Sequence, residues 1–304
     1  MRIRLAALLI LWASPAWATC GPEIGVGNYV ACAISNTDGA LDCWGANTYP
    51  ELLTDVPAGS FTVSDGGDTY HCAVATDTGV DCWGDECVGC TVMSETPAGT
   101  GYEYVAPCIV AACALKTDDS IECWGDSESF DAAPSGSYLW MRGDEDTYCG
   151  VKLDGTLACW GFDYAEGVFT EPATTLYDKV DATANYACAI TNADALECWG
   201  DTVTAGSPPA GTYTQVAVNS DPAGCAVATD GTIDCWGSDA CNIVGEAPAG
   251  TDFVQIDCSS CICCATDTSG AITCWGLAPD IETGAPGITC AAAAASSHVI
   301  IFIP

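Results

Sequence analysis

Cysteine offers this chain more chemistry than any other residue type, because 23 of its 304 residues are cysteine and only two are histidine. Seven cysteines begin a Cys-Trp-Gly run, at intervals of 36 to 41 residues. Another cysteine precedes each run by ten residues, or by eleven in the first case. The resulting pairs are Cys32 and Cys43, Cys72 and Cys82, Cys113 and Cys123, Cys149 and Cys159, Cys188 and Cys198, Cys225 and Cys235, and Cys264 and Cys274.

The spacing within a pair is typical of a β-hairpin. Asp154-Gly155 and Asp230-Gly231 lie midway between paired cysteines, which favours a three-residue loop with glycine in the left-handed conformation. Cys225 then faces Cys235 at about 4.5–5.5 Å between Cα atoms, a distance that a disulfide spans. We therefore predict seven hairpin disulfides, each stabilising the fold by roughly 2.5–3 kcal/mol. The alternatives are reduced buried thiols and zinc ligands, and the ten-residue spacing disfavours zinc.

Residues 1–18 have the features of a secretory signal peptide. Arg2 and Arg4 precede an apolar run, and a small-x-small cleavage site ends at Ala18. The apolar run is too short to cross a bilayer as an anchor, and a lipoprotein site at Cys20 is the other alternative. We predict a secreted or periplasmic bacterial protein whose mature part, residues 19–304, is one domain in an oxidising compartment.

Nine further cysteines interrupt the repeat: Cys20, Cys87, Cys90, Cys108, Cys241, Cys258, Cys261, Cys263 and Cys290. Similar loop positions predict the bridges Cys87–Cys108 and Cys241–Cys261. The alternative for Cys87 is a Cys-x-x-Cys redox site with Cys90, but no βαβ pattern surrounds it. The odd total leaves at least one thiol free or intermolecular, and the candidates are Cys20, Cys90, Cys263 and Cys290.

Acidic residues dominate the charge, which is −35 at pH 7. Such a field repels nucleic acid and anionic membranes, so neither is a predicted partner. A carboxylate precedes the second cysteine of five hairpins: Asp42, Asp81, Glu122, Glu197 and Asp234. No segment has the spacing of a calcium loop. We predict a solvated acidic rim and no metal or cofactor, with weak cation binding as the alternative.

Catalytic machinery is scarce. His71 and His298 occupy different positions of the repeat, so neither belongs to a repeated site. We predict no catalytic residue and no enzyme. A glycosidase with two carboxylates is the alternative, although acids are too abundant to single out a pair.

Seven tryptophans recur with the cysteines, at Trp44, Trp83, Trp124, Trp160, Trp199, Trp236 and Trp275. Equivalent positions in a ring need equivalent packing, so we predict that they fill the space between units. The alternative is a ring of sugar-stacking sites. Trp140 lies outside the repeat and is the better candidate for an exposed contact.

The elements that carry these residues are short β-rich runs. A Pro-Ala-Gly turn and an apolar strand precede most hairpins, giving units of about 40 residues. The first hairpin has no such turn before it, and Pro286-Gly287 has no hairpin after it. We predict an all-β, disulfide-rich, seven-bladed β-propeller closed by pairing of the N- and C-terminal segments. Residues 24–26 and 288–292 compete for one strand position, and an open solenoid is the competing architecture.

The Thr229-Asp230-Gly231 and Trp236-Gly237 segments, with their counterparts in the other units, resemble the regulator of chromosome condensation repeat family. The resemblance covers nearly all of the mature chain and is closest to secreted, cysteine-rich bacterial members. It implies a seven-bladed propeller that acts as a protein-binding platform. The paired cysteines and the missing Gly-Gln-Leu-Gly run depart from the family pattern, and no family binding residue carries over.

These observations lead to a functional hypothesis. We expect an exported, non-catalytic and monomeric scaffold that binds an unknown protein or surface ligand through the variable loops, especially residues 85–93 and 238–246. The alternatives are a lectin-like carbohydrate-binding propeller and a glycosidase-type enzyme.

Overall fold

The computed structural model describes residues 23–46, 48–85, 91–125, 133–162, 170–172, 175–201 and 205–277. Within these ranges the chain forms seven antiparallel three-stranded sheets, numbered here in chain order. Sheet 1 contains β1 (Ile24–Val26), β2 (Val30–Ile34) and β3 (Leu41–Gly45), and helix α1 (Glu51–Thr54) follows it; sheet 2 contains β4 (Phe61–Gly66), β5 (Tyr70–Ala75) and β6 (Val80–Gly84); sheet 3 contains β7 (Tyr102–Pro107), β8 (Ala111–Lys116) and β9 (Ile121–Gly125); sheet 4 contains β10 (Tyr138–Asp144), β11 (Thr147–Lys152) and β12 (Leu157–Gly161). Sheet 5 contains β13 (Tyr177–Ala182), β14 (Tyr186–Thr191) and β15 (Leu196–Gly200); sheet 6 contains β16 (Tyr213–Asn219), β17 (Ala223–Ala228) and β18 (Ile233–Gly237); sheet 7 contains β19 (Phe253–Ser259), β20 (Ile262–Asp267) and β21 (Ile272–Gly276).

The sheets close into a ring around an axial channel. Each first strand contacts the first strands of the sheets before and after it, and β1 contacts β19. The Val26 amide donates to the Asp257 carboxylate at 2.7 Å, which links sheet 1 to sheet 7. The predicted seven-bladed β-propeller is confirmed, and the open solenoid is wrong. Residues 24–26 fill the inner position of sheet 1, whereas residues 286–303, predicted to join them, lie outside the described residues.

The hairpins have the predicted register. Cys225 faces Cys235 and Val227 faces Ile233. The turn residue Gly231 has a φ of +81°, and a Cβ there would lie 2.1 Å from the carbonyl oxygen of Thr251. Glycine is therefore required both by the left-handed backbone and by the close approach of the next Pro-Ala-Gly segment.

Tryptophan and glycine end every third strand for separate reasons. All seven repeat tryptophans are buried, at 2–8% exposure. Trp124 of sheet 3 packs with Tyr70 and Val74 of sheet 2, so the indole fills the space between neighbouring sheets as predicted. The glycine after Trp236 has a φ of +103°, and a Cβ there would lie 2.5 Å from the Pro222 carbonyl oxygen. The turn between the first two strands of the sheet thus passes directly over Gly237.

The two ends of the ring differ in the turns that they present. The Asp-Gly end carries the turns between second and third strands, and the Trp-Gly end carries the ends of the third strands. The segment after each Trp-Gly begins beside the first turn of its sheet, as in the 2.9 Å bond from the Asp85 amide to the Thr69 carbonyl oxygen. The same segment finishes at the opposite end, where the Thr117 amide donates to the Gly101 carbonyl oxygen at 2.9 Å. These segments therefore run from one end of the ring to the other.

Candidate functional site: the axial channel and its surroundings

The seven hairpin cysteine pairs lie at bonding distance, with Cα atoms 4.0–4.1 Å apart. Cys241 and Cys261 also form a disulfide, across 20 residues of sequence. A ninth bridge joins Cys258 to Cys263, which face each other between β19 and β20. The sequence reasoning missed this bridge. The signal was available, because extending the strand register by one residue from the Asp257–Cys264 pair places these two cysteines opposite each other.

Cys108 corrects one of the predicted bridges. It is a free thiol with no exposed surface, so the predicted Cys87–Cys108 bridge is wrong; Cys87 lies outside the described residues. The physical reason is side-chain direction, since Cys108 packs in the core with Tyr148 and Met141 rather than toward a loop. Cys263, one of the four candidates for an unpaired thiol, is instead bonded to Cys258. Cys20, Cys90 and Cys290 lie outside the described residues.

Three sulfur atoms of sheets 6 and 7, those of Cys225, Cys258 and Cys263, lie within 4.8 Å of one another. Each belongs to a disulfide, so none is a thiolate that would bind a metal ion. The cluster is a buried contact between two bridges.

The acidic residues before the second hairpin cysteines lie opposite alanines, as the register predicted; Glu122, for example, faces Ala114. Tyrosines at the start of the first strands donate to several of them, with Tyr102 to Glu122 at 3.0 Å and Tyr177 to Glu197 at 2.6 Å. Asp42 and Asp81 are exposed. These carboxylates therefore lie on the outer part of each sheet, toward the Asp-Gly end, and do not converge on one site.

Two regions predicted to be exposed for contact with a ligand are partly or fully buried. Trp140 is half-buried rather than exposed, because its indole nitrogen donates to the Val180 carbonyl oxygen at 3.0 Å. In the segment 238–246, Ile243 is 1% exposed and its carbonyl oxygen accepts from the Trp275 indole at 2.9 Å. Most of the segment 85–93 lies outside the described residues.

The channel is lined by the first strands, whose alternate side chains point toward the axis. The middle layer is the position that faces the first hairpin cysteine of each sheet. It contains, from sheet 1 to sheet 7, Gly25, Asp65, Ala106, Arg142, Asp181, Ala217 and Asp257. Equivalent positions therefore bring three aspartates and one arginine together on the axis. No local pattern in the sequence marks them, because each comes from a different sheet.

The aspartates of this layer join neighbouring sheets. Asp181 accepts from the Val218 amide of sheet 6 at 2.9 Å, and Asp257 accepts from the amide at the same position of sheet 1. Asp65 would need the amide of residue 107, but that residue is proline and has no N–H. The Tyr104 hydroxyl of sheet 3 donates to Asp65 instead, at 2.9 Å.

Arg142 crosses the channel. Its Nη1 forms an ion pair with Asp257 of sheet 7, and its Nε donates to the Tyr104 hydroxyl at 2.7 Å. Tyr104 in turn donates to Asp65. The guanidinium thus connects sheets 2, 3, 4 and 7 through one network. A cavity of about 10 Å³ lies beside it, with room for about one water molecule.

Burial controls the ionisation of this network. It raises the pKa of Asp65 well above its usual range, and the nearby Asp257 charge adds to the effect. It also raises the pKa of Asp181 to about 6, against the lowering by Arg142. Burial opposes the charge on Arg142, but Asp257 and the other acids outweigh it and raise the pKa of the guanidinium. Arg142 therefore stays charged, and the layer carries less negative charge than three ionised aspartates would.

The two mouths of the channel are polar but occupied by protein side chains. At the Asp-Gly end, Lys179 lies 5.1 Å from the centre of the Trp140 ring, and burial lowers the pKa of this lysine to about 8. At the Trp-Gly end, the Ser259 hydroxyl contacts both Asp144 and Asn28, at 3.1 and 3.0 Å. Burial raises the pKa of Asp144 to about 7. The channel is therefore a packed polar core.

His71 is buried in the core and contacts sheet 1. It is 1% exposed, and its Nε2 lies 2.9 Å from the Val30 carbonyl oxygen of sheet 1. Burial lowers its pKa to about 4, so the ring is neutral at pH 7. His298 lies outside the described residues. Among the described residues, no helix is long and apolar enough to cross a membrane.

Comparisons with known proteins identify relatives by fold only. No model of a known protein family matches the chain, and none of the curated proteins matches it. Among solved structures, the CRINKLY WD40 ectodomain of the receptor kinase ACR4 from Arabidopsis thaliana is similar, with a TM-score of 0.72 and 21% identity over 87% of this chain and 98% of that one. The ectodomain of the receptor kinase CR4 from Physcomitrella patens has a TM-score of 0.71 and 19% identity over 84% and 72%.

A yeast protein also has a similar structure. Prp20p of Saccharomyces cerevisiae, also called yeast RCC1, is similar with a TM-score of 0.64 and 15% identity over 78% of this chain and 80% of that one. The structure of Prp20p is described together with the binding of that protein to Gsp1p and histones. Because all three identities are low, these likenesses show that the chain has the fold of the propellers in plant receptor ectodomains and in yeast RCC1.

Proposed function

We propose that the chain is an exported, non-catalytic scaffold that binds a protein or cell-surface ligand on the outside of its propeller. The observation that carries the proposal is the fixed position of the segments between sheets. The indole nitrogens of Trp83, Trp124 and Trp275 donate to the carbonyl oxygens of Leu52, Val92 and Ile243 at 2.9–3.1 Å. Each acceptor is 1% exposed and belongs to the segment before its sheet. A rigid framework that fixes its connecting segments is suited to recognition.

The interior supports binding on the outside. The Arg142 network occupies the channel, and a cavity of about 10 Å³ is too small for an organic substrate. A ligand therefore has to contact the ends or the outer edge of the ring.

The proposal of a non-catalytic protein is supported by the burial of His71, which is 1% exposed and so not available to a substrate. A glycosidase would need two carboxyls facing a sugar across an open cleft. The candidate carboxylates lie instead on separate sheets, where Glu122 and Glu197 accept bonds from tyrosines of their own sheets. The lectin-like alternative loses its main support, because all seven repeat tryptophans are buried.

Export is supported by the cysteine chemistry. Nine cysteine pairs lie at bonding distance among the described residues, and disulfides persist in oxidising compartments. The buried thiol of Cys108 is compatible with this, since apolar surroundings raise its pKa and make it unreactive. The propeller and its fold relatives are consistent with membership of the regulator of chromosome condensation repeat family, which forms part of the proposal.

The test is affinity capture with the oxidised mature chain. We expect the immobilised protein to retain a specific exported or cell-surface protein at about 0.15 M salt, where bulk charge is screened beyond about 8 Å. The same chain, reduced and alkylated, serves as the unfolded control and should retain nothing. A glycan array with clear hits and no protein partner would support the lectin instead. Hydrolytic turnover lost on substitution of a carboxylate would support an enzyme.

A further inference from the structure

The Asp-Gly end of sheets 4 and 5 differs from the rest of the ring in its exposed side chains. Four large apolar side chains are exposed among the described residues, and three of them lie here: Leu139 at 53%, Leu153 at 51% and Leu176 at 47%. The fourth, Leu277, lies at the Trp-Gly end of sheet 7, where its amide donates to the Cys261 carbonyl oxygen. The three leucines are called the leucine patch below.

Backbone contacts place the members of the leucine patch next to one another. The Leu153 amide donates to the carbonyl oxygen of Ser137, two residues before Leu139. A Cβ added to Gly155, two residues after Leu153, would lie 3.1 Å from the Cβ of Leu176. The Tyr177 amide also donates to the Gly155 carbonyl oxygen at 2.9 Å. The patch therefore spans the boundary between sheets 4 and 5.

The repeat shows that packing does not require leucine at these positions. The same hydrogen bond occurs in five other sheets, where the donor amide at the position of Leu153 is that of Thr76, Thr117, Asn192, Thr229 or Thr268. The acceptor that corresponds to Leu176 belongs to Ser60, Gly101, Ser137, Thr212 and Asp252. Leu139 occupies a strand bulge, and the other bulges contain Thr62, Glu103, Asp178, Thr214 and Val254. Propeller geometry alone thus accepts polar residues at all three positions.

The basic residues of the described chain lie in the same sector of the ring, although Arg142 is buried in the channel. The sequence contains six basic residues, and the four that follow Arg2 and Arg4 are Lys116, Arg142, Lys152 and Lys179. All four lie in sheets 3 to 5. Lys116 is paired with Glu122 at 3.0 Å. Lys152 precedes Leu153 and faces Tyr138 across the strands. Its Nζ lies 5.9 Å from the centre of the Tyr138 ring and forms no ion pair with the described residues.

Sheet 4 also lacks an acid that most sheets have. The residue before the second hairpin cysteine is Ala158, which is 5% exposed, where five other hairpins have Asp or Glu. In a chain with a net charge of −35, this sector combines exposed leucines, a lysine without an ion pair among the described residues, and a missing carboxylate. A second copy of the chain would bring a charge of −35 toward the patch, which disfavours self-association.

We propose that the leucine patch and Lys152 form the docking surface for a segment of a protein partner that carries aliphatic side chains beside a carboxylate. The aliphatic groups pack on Leu139, Leu153 and Leu176, and the carboxylate pairs with the Lys152 ammonium. Apolar contact gives the affinity, because each leucine exposes about half of its surface. The lysine gives selection by charge, since at physiological salt charges beyond about 8 Å are screened. This docking surface rests on the proposed function and specifies its partner.

The probe is a library of random dodecapeptides displayed on phage, selected on the oxidised mature chain at about 0.15 M salt. We expect enrichment of peptides with Leu, Ile, Val or Phe beside Asp or Glu. The triple variant Leu139→Thr, Leu153→Thr, Leu176→Ser adopts residue types that other sheets have at these positions, and it should bind the enriched peptides at least tenfold more weakly. Leu277→Ser, the matched control at the other end of the ring, should bind them as the parent does.

Lys152→Glu provides a second variant that leaves the leucines in place. This variant should bind acidic peptides at least fivefold more weakly than the parent does, and its affinity for neutral aliphatic peptides should be nearly unchanged. Enrichment of basic peptides, which the net charge alone favours, would overturn the proposal. So would equal binding to the parent and the triple variant. A parent dimer that the triple variant converts to monomer in sedimentation would assign the patch to a second copy and also overturn it.

The outcome separates this proposal from the proposed function. If affinity capture recovers a protein partner that the triple variant retains equally, the docking surface is wrong and the scaffold function stands. If neither the capture nor the peptide selection recovers a protein ligand, the scaffold function fails as well.

Discussion

The outer hairpins and the inner strands of this propeller follow opposite rules. The hairpins repeat their residues from sheet to sheet, with a disulfide, a Trp-Gly end and a left-handed turn residue in each. The inner strands share one register but differ in the residue that reaches the axis, which is Asp65 in sheet 2, Ala106 in sheet 3 and Arg142 in sheet 4. A repeated element therefore repeats its chemistry only in part.

The physical reason is the environment that each position meets. A hairpin residue meets the same neighbours in every sheet, so one good solution serves all seven. Residues of the channel layer face one another across the axis. Seven ionised aspartates there would repel each other in a buried site, and seven arginines would do the same. The chain resolves this by combining three aspartates, one arginine and three small residues.

The largest expected effect comes from removing the single cation of the axis. Arg142→Met leaves Asp257 buried without its partner and frees the Tyr104 hydroxyl. We expect a loss of roughly 3–5 kcal/mol in the free energy of unfolding at pH 7, measured by urea denaturation. Lys152→Met, which removes a half-buried cation without an ion pair from the same sheet, should change it by less than about 0.5 kcal/mol.

The same variant has a pH dependence with a definite sign. Carboxyls whose folded-state pKa is raised lower stability as the pH rises through their unfolded value and up to the folded value. Asp181 already has a pKa of about 6, and loss of Arg142 would raise the pKa of the axial aspartates further. The deficit of Arg142→Met should therefore be smaller at pH 4.5 than at pH 7. An equal deficit at both pH values would contradict the electrostatic role of Arg142.

The hairpins should respond more uniformly. The double variant Cys225→Ala, Cys235→Ala should lose roughly 3 kcal/mol by the chain-entropy model. Both cysteines must be replaced, because a single thiolate would lie within 4.8 Å of the sulfurs of Cys258 and Cys263 and could exchange with that bridge. The matching variant Cys258→Ala, Cys263→Ala removes a bridge that closes a shorter loop, so it should lose roughly 2 kcal/mol. The reverse order, in chemical denaturation without reductant, would refute the entropic account.

The smallest effect distinguishes two members of the axial layer. In the protein, one carboxylate oxygen of Asp181 accepts from the Ala182 amide and the other from the Val218 amide. In Asp181→Asn, the side-chain NH₂ replaces one of these oxygens and therefore faces a backbone N–H in either orientation. We expect a loss of about 1–3 kcal/mol, because a buried donor is left unpaired. Asp65→Asn should lose less than about 1 kcal/mol, since the Tyr104 hydroxyl can turn its own O–H aside and accept from the asparagine amide as well as from Arg142. Equal losses in thermal unfolding would show that proline at position 107 does not account for the difference.

Much of the fold was predictable from residues close together in the chain. The alternation of strand side chains and the Asp-Gly turn were sufficient to set the register of Cys225 with Cys235, and the recurrence of Trp-Gly was sufficient to count the sheets. The bridge between Cys258 and Cys263 was missed because the second register, between β19 and β20, was not extended to it. Cys108 was misassigned because its loop position did not reveal that its side chain points into the core.

The repeat, the hairpins and the closed ring follow from the amino-acid sequence, because they depend on contacts within one unit and between similar neighbours. Which residues meet on the axis and on the outer surface depends on how the sheets pack in three dimensions. Arg142 and Asp257 are 115 residues apart, and ring closure brings them into contact. Leu153 and Leu176 likewise become neighbours only when sheets 4 and 5 pack side by side. Such sites depend on the geometry of the whole ring, so no single segment of the chain contains the information that defines them.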